Sequence, residues 1–436
     1  MKVKNDFVLR CIFVVWGVLL YFTAARATST YAIVNCKIVP VSGFPVDKGV
    51  IIIRDGIIES LGPKEKISIP EDAEIIEAGS LTAYPGLIDS YTNFFLELPE
   101  EENKEKVEIG IEPLKKEHAL YPGVMAFELL KIKKSIIECN HRIGVTTVLV
   151  APKKGIFAGQ SVLLNLNGEK VEQMVIKNPF ALHLNFVTAK GMYPTTVGGT
   201  VALLMQSFLD AEYYHSFISS FASGYKRAKR PEYNSFLEAL LPFIVEKKPV
   251  VFTCNNQEDI KRALRLIDEF KLNAFLCGAN EAWRVIGFLK KAKVPLLVCL
   301  NFVPPSTSIY YYQGKELRKR AEEEIYPANA AVLYKAGIKF AITSYGLADA
   351  ESFVTNIRKA VNAGLPREEA LKALTITPAQ FLGVSDIMGS LEPGKIANIV
   401  LTSGEIFEKN SYVEKVFVDG ILFEIKESSK NKNLQF

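Results

Sequence analysis

Between residues 249 and 300 the sequence alternates between strand-type and helix-type segments. Val250-Val-Phe-Thr-Cys254 is an apolar, β-branched run, and Asn256 after it can cap a helix whose first turn carries two acidic residues. Two more apolar runs follow at 274–277 and 294–300, with helical patterns between them. Parallel strands need a long crossover, usually a helix, so this alternation predicts βα units and a parallel sheet.

Short β-rich runs fill the two ends of the chain, at residues 31–79 and 396–425. Each end contains an Asp-Gly pair between two such runs, Asp55-Gly56 and Asp419-Gly420, and this pair is typical of a two-residue hairpin turn. Strand-rich ends on either side of an α/β middle predict a discontinuous β-sandwich to which both termini contribute. In that arrangement the terminal segments pair and hold the chain ends together.

The 436-residue chain is 49% hydrophobic and 23% charged, the composition of a globular protein with a large core. Its first 27 residues are organised as a secretory signal peptide, with basic residues, an apolar run from Cys11 to Ala24 and a small-x-small site at Ala25-Arg-Ala27. Their removal takes away four basic residues and one acidic residue, which lowers the formal net charge from +4 to +1. We therefore expect an exported protein, periplasmic or extracellular, with no nucleic-acid partner. A retained N-terminal membrane anchor is the alternative.

Five cysteines lie beyond the signal segment, at positions 36, 139, 254, 277 and 299. An odd number without close pairs does not make a disulfide framework. The lack of a Cys-x-x-Cys motif argues against a thiolate zinc site. Three of these cysteines sit in apolar strand-type runs, where a free cysteine packs as a small hydrophobic residue.

The stretch Ala83-Tyr-Pro-Gly-Leu-Ile-Asp-Ser-Tyr-Thr-Asn-Phe94 begins with a turn signal and a short apolar run, and it ends with polar residues. Asp89, Tyr91 and Asn93 occupy alternate positions, so in a strand they would point to the same face. A strand that starts apolar and ends polar is typical of the mouth of a parallel barrel. We therefore expect the functional site at this end of the strand.

The same stretch resembles the first barrel strand of the metal-dependent amidohydrolase superfamily, Pro-Gly-(Leu/Phe)-Ile-Asp-x-His-x-His, in which the two histidines bind the first metal. Here Tyr91 and Asn93 stand at the two histidine positions. The resemblance places the strand-five histidine on Thr253, the strand-six histidine near Gly278, and the strand-eight aspartate, the family's general base, on Tyr345. The family needs these ligands because its metal must lower the pKa of a bound water. The resemblance therefore implies a degenerate metal site.

Further segments carry the resemblance along nearly the whole mature chain. They are a Gly-Val-Thr-Thr strand at 144–150, the Gly155-Ile-Phe-Ala-Gly-Gln-Ser161 segment, the helical stretch 360–379, and the stretch 389–400, where Asn398 replaces the usual aspartate. The segment at 155–161 is similar to that of the exported, imidazolonepropionase-like branch of the superfamily. The resemblance implies a barrel whose chain returns to the sandwich after its last helices.

The remaining sequence offers no replacement chemistry. Its four histidines, at positions 118, 141, 183 and 215, share no His-x-His or His-x-x-x-His spacing. His183 lies on a strand-type run of the predicted barrel, and we expect it to be a satisfied polar group rather than a ligand. No Gly-x-Ser-x-Gly elbow, P-loop or dinucleotide-binding glycine pattern occurs.

The predicted fold class is α/β: a (β/α)8 TIM-type barrel with a small composite β-sandwich formed from both termini. The expected boundaries are a signal peptide at 1–27, sandwich at 28–80, barrel at 81–386, sandwich again at 387–425, and a polar tail at 426–436.

We expect an amidohydrolase relative that lacks the family's metal ligands, with no catalytic residue, no metal and no cofactor. Its barrel mouth would bind a small molecule or a partner, either a second copy in a homo-oligomer or an active amidohydrolase paralogue. The candidate pocket residues hydrogen-bond rather than ligate, and they are Tyr91, Asn93, Thr253, Asn255, Gly278, Asn280 and Tyr345. The alternative is an active hydrolase of C–N bonds in a dipeptide, an N-acyl amino acid or a cyclic amide, working by a non-standard and possibly metal-independent mechanism.

Overall fold

The computed structural model describes residues 30–96, 120–168, 170–189, 193–224, 231–304 and 312–425. The predicted signal segment at 1–27 and the predicted polar tail at 426–436 lie outside these ranges. The described chain is mixed α/β, as its sequence pattern predicts.

The strands of the described residues are β1 (Tyr31–Ile38), β2 (Val46–Arg54), β3 (Ile57–Pro63), β4 (Glu74–Glu77), β5 (Thr82–Pro85), β6 (Leu87–Thr92), β7 (Val145–Val150), β8 (Phe157–Gln160), β9 (Val162–Asn165), β10 (Val175–Lys177), β11 (Leu182–Asn185), β12 (Val250–Cys254), β13 (Ala274–Gly278), β14 (Leu296–Cys299), β15 (Phe340–Thr343), β16 (Ile399–Thr402), β17 (Val413–Val418) and β18 (Ile421–Glu424). Their α-helices are α1 (Lys134–Arg142), α2 (Val171–Met174), α3 (Val197–Ala222), α4 (Ser235–Ile244), α5 (Gln257–Phe270), α6 (Ile286–Ala292), α7 (Lys315–Arg320), α8 (Asn329–Lys335), α9 (Ala350–Asn362), α10 (Arg367–Lys372) and α11 (Ile376–Phe381).

Strands from both ends of the chain share one eight-stranded sheet. Its order is β18-β17-β16-β5-β1-β2-β3, and β4 pairs separately with β1. Strand β16 runs antiparallel to β5, whereas β5 runs parallel to β1. The pairing of β5 with β1 and β16 ties the two chain ends together, and β5 lies just past the sandwich boundary predicted at residue 80.

The two Asp-Gly pairs form the hairpin turns that the sequence predicts. Asp55 and Gly56 both have positive φ, at 54° and 79°, and Asp419 and Gly420 repeat this at 51° and 73°. Two central residues with positive φ suit the right-handed twist of the flanking strands. The turns pack against each other so closely that a Cβ on Gly420 would lie 2.6 Å from the Cα of Gly56.

The middle of the chain forms two further sheets. One has the order β10-β9-β7-β6, and the other has the order β15-β14-β13-β12-β11-β8. Strands β11 to β15 all run parallel, as do β6 and β7, and helices connect most of them. Within each sheet, the carboxyl ends of these parallel strands therefore lie on one side.

The two central sheets adjoin at two places. Ser161 alone separates β8 from β9, so one continuous segment pairs with β11 in one sheet and with β7 in the other. At the other edges, the hydroxyl of Thr343, the last residue of β15, donates a hydrogen bond of 2.6 Å to the backbone oxygen of Tyr91 in β6. Inward-facing side chains from both sheets pack into one apolar cluster, which includes Ile88, Leu149, Leu163, Val251, Phe275, Leu297 and Ala341.

Helix α5 begins where the sequence predicts. The Asn256 side chain accepts a hydrogen bond of 2.9 Å from the backbone N–H of Asp259, which satisfies one of the free donors of the first turn. Ile260, Ala263 and Phe270 are buried against the sheet, as expected from their spacing. In the described part of the chain, no helix combines the length and apolar character that crossing a membrane requires.

Candidate functional site

Polar and aromatic side chains gather where the parallel strands end. We name this group the strand-end cluster, and its members are Asp89, Tyr91, His183, Thr253, Cys277, Asn280, Cys299, Ser344 and Tyr345. Strand pairing brings them together from distant parts of the sequence, because β12 pairs with β11 and β13, and β14 pairs with β15. The cluster rests on the apolar layer formed by the inward-facing residues of the same strands.

Asp89 links β6 to the end of β15. Its Oδ1 accepts the backbone N–H groups of Ser344 at 2.9 Å and Tyr91 at 3.3 Å, and its Oδ2 accepts the Ser344 hydroxyl at 2.5 Å. The side chain is only 2% exposed, and this burial raises the pKa of Asp89 to about 6, although the hydrogen bonds from Ser344 oppose the shift. Both oxygens are therefore engaged in joining two strand ends.

Three rings fill the centre of the cluster. The Tyr91 ring meets the His183 ring edge-on at 4.8 Å and lies tilted against the Tyr345 ring, also at 4.8 Å between centroids. The Tyr91 hydroxyl donates a hydrogen bond of 3.0 Å to the backbone oxygen of Pro152. Burial raises the pKa of both phenols, so both stay protonated at neutral pH. The Lys153 ammonium lies 5.5 Å from the centroid of the Tyr345 ring.

Several buried polar atoms of the cluster have no hydrogen-bond partner. They are both ring nitrogens of His183, Oγ1 of Thr253 and Oδ1 of Asn280. Burial lowers the pKa of His183 to about 3, so the ring is neutral. The expectation that His183 is a satisfied polar group is therefore wrong. Its neighbours on the pleated surface are the Tyr91 ring and apolar strand residues, which offer no partner to the ring nitrogens.

The thiols of the cluster are held in their neutral form. Burial raises the pKa of Cys299 to about 12, and it also raises the pKa of Cys277 well above its usual value. The Cys299 thiol donates to the backbone oxygen of Tyr345. The five cysteines within the described residues, from Cys36 to Cys299, are free.

The structure brings most of the predicted pocket residues together. The Tyr345 hydroxyl faces Thr253 and Asn255, although Thr253 Oγ1 has no partner at hydrogen-bonding distance. Asn255 in turn lies against Gly278.

The other two predicted residues are Asn280 and Asn93. The Asn280 side-chain amide donates to the backbone oxygen of Asn301 at 3.2 Å. Asn93 is half-buried in the turn that follows β6.

Sequence reasoning passed over other members of the cluster. Ser344 and Cys299 carried no motif, and their role depends on contacts with residues far away in the chain. The sequence places Asp89 on the same strand face as Tyr91, and its bonds to Ser344 join the ends of two strands. A signal for Cys277 did exist, because it occupies the strand position beside Thr253, but only the pairing register makes this visible.

The residues at the strand ends do not fit a hydrolytic divalent metal. Two protonated phenols, a hydroxyl and an amide occupy positions where the resemblance requires imidazoles and a carboxylate. Gly278, at the strand-six position, has φ +92°, and a Cβ there would lie 2.7 Å from Asn255 Oδ1 and 3.0 Å from the backbone oxygen of Cys254. No side chain can therefore enter from that position without a backbone shift. Within the described ranges, no group of three or more His, Cys, Asp or Glu side chains is placed to hold a metal ion.

Comparison with known proteins gives a consistent result. Residues 261–423 match the model of the Amidohydrolase family. A 60-residue stretch is 38% identical to the 5-methylthioadenosine/S-adenosylhomocysteine deaminase of Moorella thermoacetica, and it spans only 14% of either chain.

The likeness of the fold covers much more of the chain. An amidohydrolase from Thermotoga maritima superimposes with a TM-score of 0.74 at 24% identity, over 90% of this chain and 100% of that one. A Xaa-Pro dipeptidase with bound methionine gives a TM-score of 0.53 at 15% identity, over 91% and 100% of the two chains. The resemblance seen in the sequence therefore agrees with the family match over residues 261–423 and with the likeness of the fold.

Proposed function

Because this chain is a relative of the amidohydrolases in both sequence and fold, we propose that it is a non-catalytic member that binds a small molecule or a partner protein. The observation that carries the proposal is the placement of Tyr91. This phenol stands at the first metal-ligand position, is fully buried, and is fixed by its hydrogen bond to Pro152. A protonated phenol in that place cannot help to lower the pKa of a metal-bound water.

The fold of the amidohydrolases does not by itself imply activity, because chemistry depends on the site. The strand-five position carries a neutral hydroxyl, and the strand-six position has no room for any side chain. Both features support binding by hydrogen bonds over metal-assisted hydrolysis.

An active hydrolase of C–N bonds is the second candidate, and one observation favours it. Asp89, whose pKa of about 6 lies within the range useful to a general base, accepts a hydrogen bond of 2.5 Å from the Ser344 hydroxyl. This pair could act without a metal on a dipeptide, an N-acyl amino acid or a cyclic amide. Two observations argue against this second candidate. Both side chains are buried, and Asp89 also accepts hydrogen bonds from two backbone N–H groups.

Metal analysis and turnover assays separate the two candidates. Protein loaded with zinc and then desalted is expected to retain far less than one equivalent and to hydrolyse none of a panel of dipeptides, N-acyl amino acids and cyclic amides. Stoichiometric metal, or turnover abolished by a chelator, would refute the proposal. Turnover that resists chelators but disappears in Asp89→Asn would establish the metal-independent hydrolase instead.

We extend the proposal to the architecture. The two junctions between the central sheets support closure into a (β/α)8-type barrel, and the shared sheet of both chain ends supports a composite β-sandwich beside it. The domain boundaries at 28–80, 81–386 and 387–425 belong to this proposal.

Export to the periplasm or the extracellular space is part of the same proposal, and the organisation of residues 1–27 supports it. N-terminal sequencing of the protein recovered from a secreting host is expected to begin at Thr28. A first residue at Met1 in the membrane fraction would point to a retained anchor. Co-purification of an intact amidohydrolase paralogue, or of a second copy, would identify the partner-binding form of the function.

A further inference from the structure

A strongly charged helical segment lies at the surface between β14 and α8. Helix α7 continues directly into a π-helical turn, Ala321–Ile325, and we name residues 313–325 the charged segment. Every residue from 313 to 320 is exposed, and Ala321 is the one buried residue of the charged segment. Helix α7 therefore packs no buried side chain against the rest of the described chain.

Two tyrosines hold the ends of the charged segment to the body of the protein. Tyr312 and Tyr326 are buried, and their ring centroids lie 6.1 Å apart. The Tyr312 hydroxyl accepts a hydrogen bond of 3.0 Å from Arg284, and the Tyr326 hydroxyl donates one of 2.9 Å to the buried carboxylate of Glu281. Compact surface segments whose ends lie close together frequently have a function. The base of the charged segment is thus fixed, and its charged side chains stay in solvent.

The two signs of charge are separated along the charged segment. Up to Arg320 it carries four basic residues and one acidic residue, a formal charge of +3, and the three glutamates after Ala321 give −3. Residues 318–320 are all basic and residues 322–324 are all acidic, so the charges are symmetric in position and opposite in sign about Ala321.

This order of charges does not stabilise the helix that carries it. A helix favours negative charge at its N-terminus and positive charge at its C-terminus, and here the signs are reversed. The pairs Lys319–Glu323 and Arg320–Glu324 place the basic residue first, which is the weaker orientation for an i,i+4 pair. Their four side chains are 63–70% exposed, so the pairs contribute little. Helix stability therefore does not account for the arrangement.

We propose that the charged segment binds the same segment of a second copy of the protein, antiparallel about a twofold axis at the level of Ala321. Residues 318–320 of each copy then face residues 322–324 of the other, so opposite charges meet in both halves of the contact. The two helix dipoles also oppose each other. A partner with a single sign of charge would attract one half and repel the other. This inference names a surface for the second-copy form of the function proposed above.

Sedimentation equilibrium of the protein recovered from a secreting host measures the association. A helix of 11 residues is only about 16 Å long, so the contact is smaller than the roughly 800 Å² per partner of a standard interface. We therefore expect a weak dimer. Because salt screens exposed charges, its association constant should fall about tenfold or more between about 50 and 500 mM sodium chloride.

Charge reversal provides the decisive variants. The all-basic variant carries Glu322→Lys, Glu323→Lys and Glu324→Lys. The all-acidic variant carries Arg318→Glu, Lys319→Glu and Arg320→Glu. At low salt, each variant alone is expected to associate about tenfold or more weakly than the wild type, because like charges now meet. An equimolar mixture of the two is expected to dimerise again, because opposite charges meet in both halves.

Two further proteins serve as controls. The first carries Glu65→Lys, Glu71→Lys and Glu74→Lys at exposed positions elsewhere, which changes the net charge as in the all-basic variant, and it is expected to associate like the wild type. The second has glutamine at positions 322–324. Glutamine forms helices as well as glutamate does, so its weaker association would not come from loss of the helix.

A protein that stays monomeric at every concentration would overturn the proposal, and so would a dimer that resists salt or persists in each charge variant alone. A mixture of variants that have wild-type circular dichroism but do not associate would also overturn it. These results leave the non-catalytic function standing, because that function is judged separately by metal content and turnover.

Discussion

His183 and Asp89 are two ionisable residues of one cluster, and burial shifts their pKa values in opposite directions. The pKa of His183 falls from 6.5 to about 3, and the pKa of Asp89 rises from 3.8 to about 6. In both cases burial favours the neutral form. Each residue therefore gives the stability of the protein its own dependence on pH, and the two effects can be measured apart.

Replacing His183 by Leu is expected to stabilise the protein, and more so in acid. Below pH 6.5 the unfolded chain protonates His183 whereas the folded chain cannot until about pH 3, so the wild type loses stability as pH falls through this window. At pH 5 this loss is on the order of 2 kcal/mol. Urea denaturation of wild type and variant at pH 7.5 and 5 measures it.

The exposed His215 in α3 supplies the matched control, His215→Gln. Burial also lowers the pKa of His141, to about 4. His141 is present in the wild type and in both variants, so its contribution cancels in the comparison. A stability difference between His183→Leu and wild type that does not change with pH would contradict the neutral buried imidazole.

Replacing Asp89 by Asn is also expected to stabilise the protein, but here the gain is larger at neutral pH than in acid. Burial raises the pKa of Asp89 in the folded protein above its value in the unfolded chain. The contribution of Asp89 to stability is therefore fully present below pH 3.8 and is lost as the pH rises through about 6. Asn can keep the bonds to Ser344 without carrying a charge. The variant should therefore exceed the wild type at pH 7.5 by on the order of 2–3 kcal/mol, and by much less at pH 4.5.

The measurement is again the free energy of unfolding in urea at the two pH values. Burial also raises the pKa of Asp259 to about 6. Asp259 is present in both proteins, so its contribution is common to them and cancels in the comparison. Equal destabilisation by Asp89→Asn at both pH values would show that the hydrogen bonds to the ionised carboxylate outweigh its burial.

At the scale of elements, the end of β13 decides whether a side chain can occupy the position where the resemblance expects the superfamily's strand-six histidine. Gly278 leaves the strand with φ +92°, a conformation that costs other residues energy, and its Cα faces the Asn255 side chain. The turn also fixes the path to Asn280, since the N–H of Ala279 donates to the backbone oxygen of Cys254 at 2.7 Å. One glycine therefore shapes this side of the cluster and keeps it free of a ligating side chain.

Gly278→Ala is expected to destabilise the protein by about 2 kcal/mol or more, because the left-handed conformation costs 1–2 kcal/mol and the Cβ adds a close contact. Gly287→Ala is the control. That glycine lies exposed in α6 with nothing within 4 Å of an added Cβ, so Ala should stabilise by about 0.5–1 kcal/mol. Thermal unfolding of both variants tests the contrast, and a neutral Gly278→Ala would show that the turn can relax.

At the scale of the whole molecule, a buried amide network joins the central sheets to the sheet of the chain ends. Asn165, at the end of β9, donates to Asp419 at 2.6 Å and accepts from Asn398 at 2.8 Å. Asn167 donates to the other oxygen of Asp419 at 2.7 Å, and Asn398 also accepts the backbone N–H of Asp419. Asn398 thus occupies the family's aspartate position as part of a network that needs its amide donor.

Asn398→Asp is expected to destabilise the protein by about 2–4 kcal/mol, because a buried acceptor would face Asn165 Oδ1 and a second carboxylate would lie near Asp419. Rotation of the Asn165 amide could relieve the first clash only by breaking its bond to Asp419. Asn410→Asp, at an exposed position, is the control. Unfolding in urea measures both variants, and an unchanged Asn398→Asp would mean that the network rearranges freely.

Much of the fold could be predicted because its signals are local. The cap at Asn256 and the two Asp-Gly turns depend on residues within a few positions of one another. The identities of Tyr91, Thr253 and Gly278 were also enough to question a metal site. The missing partners of His183 could not be predicted, because a polar side chain on a strand is satisfied or not according to what packs against it.

The sequence by itself determined the order of strands and helices, the turns, and the residue types at the strand ends, since periodicity and turn chemistry are properties of neighbours in the chain. Only the tertiary structure decided which side chains meet there. Asp89 binds Ser344 across 255 positions, and Tyr91 packs on His183 and Tyr345. Such contacts follow from strand register and packing, which bring distant residues within a few ångströms and leave particular polar atoms without a partner.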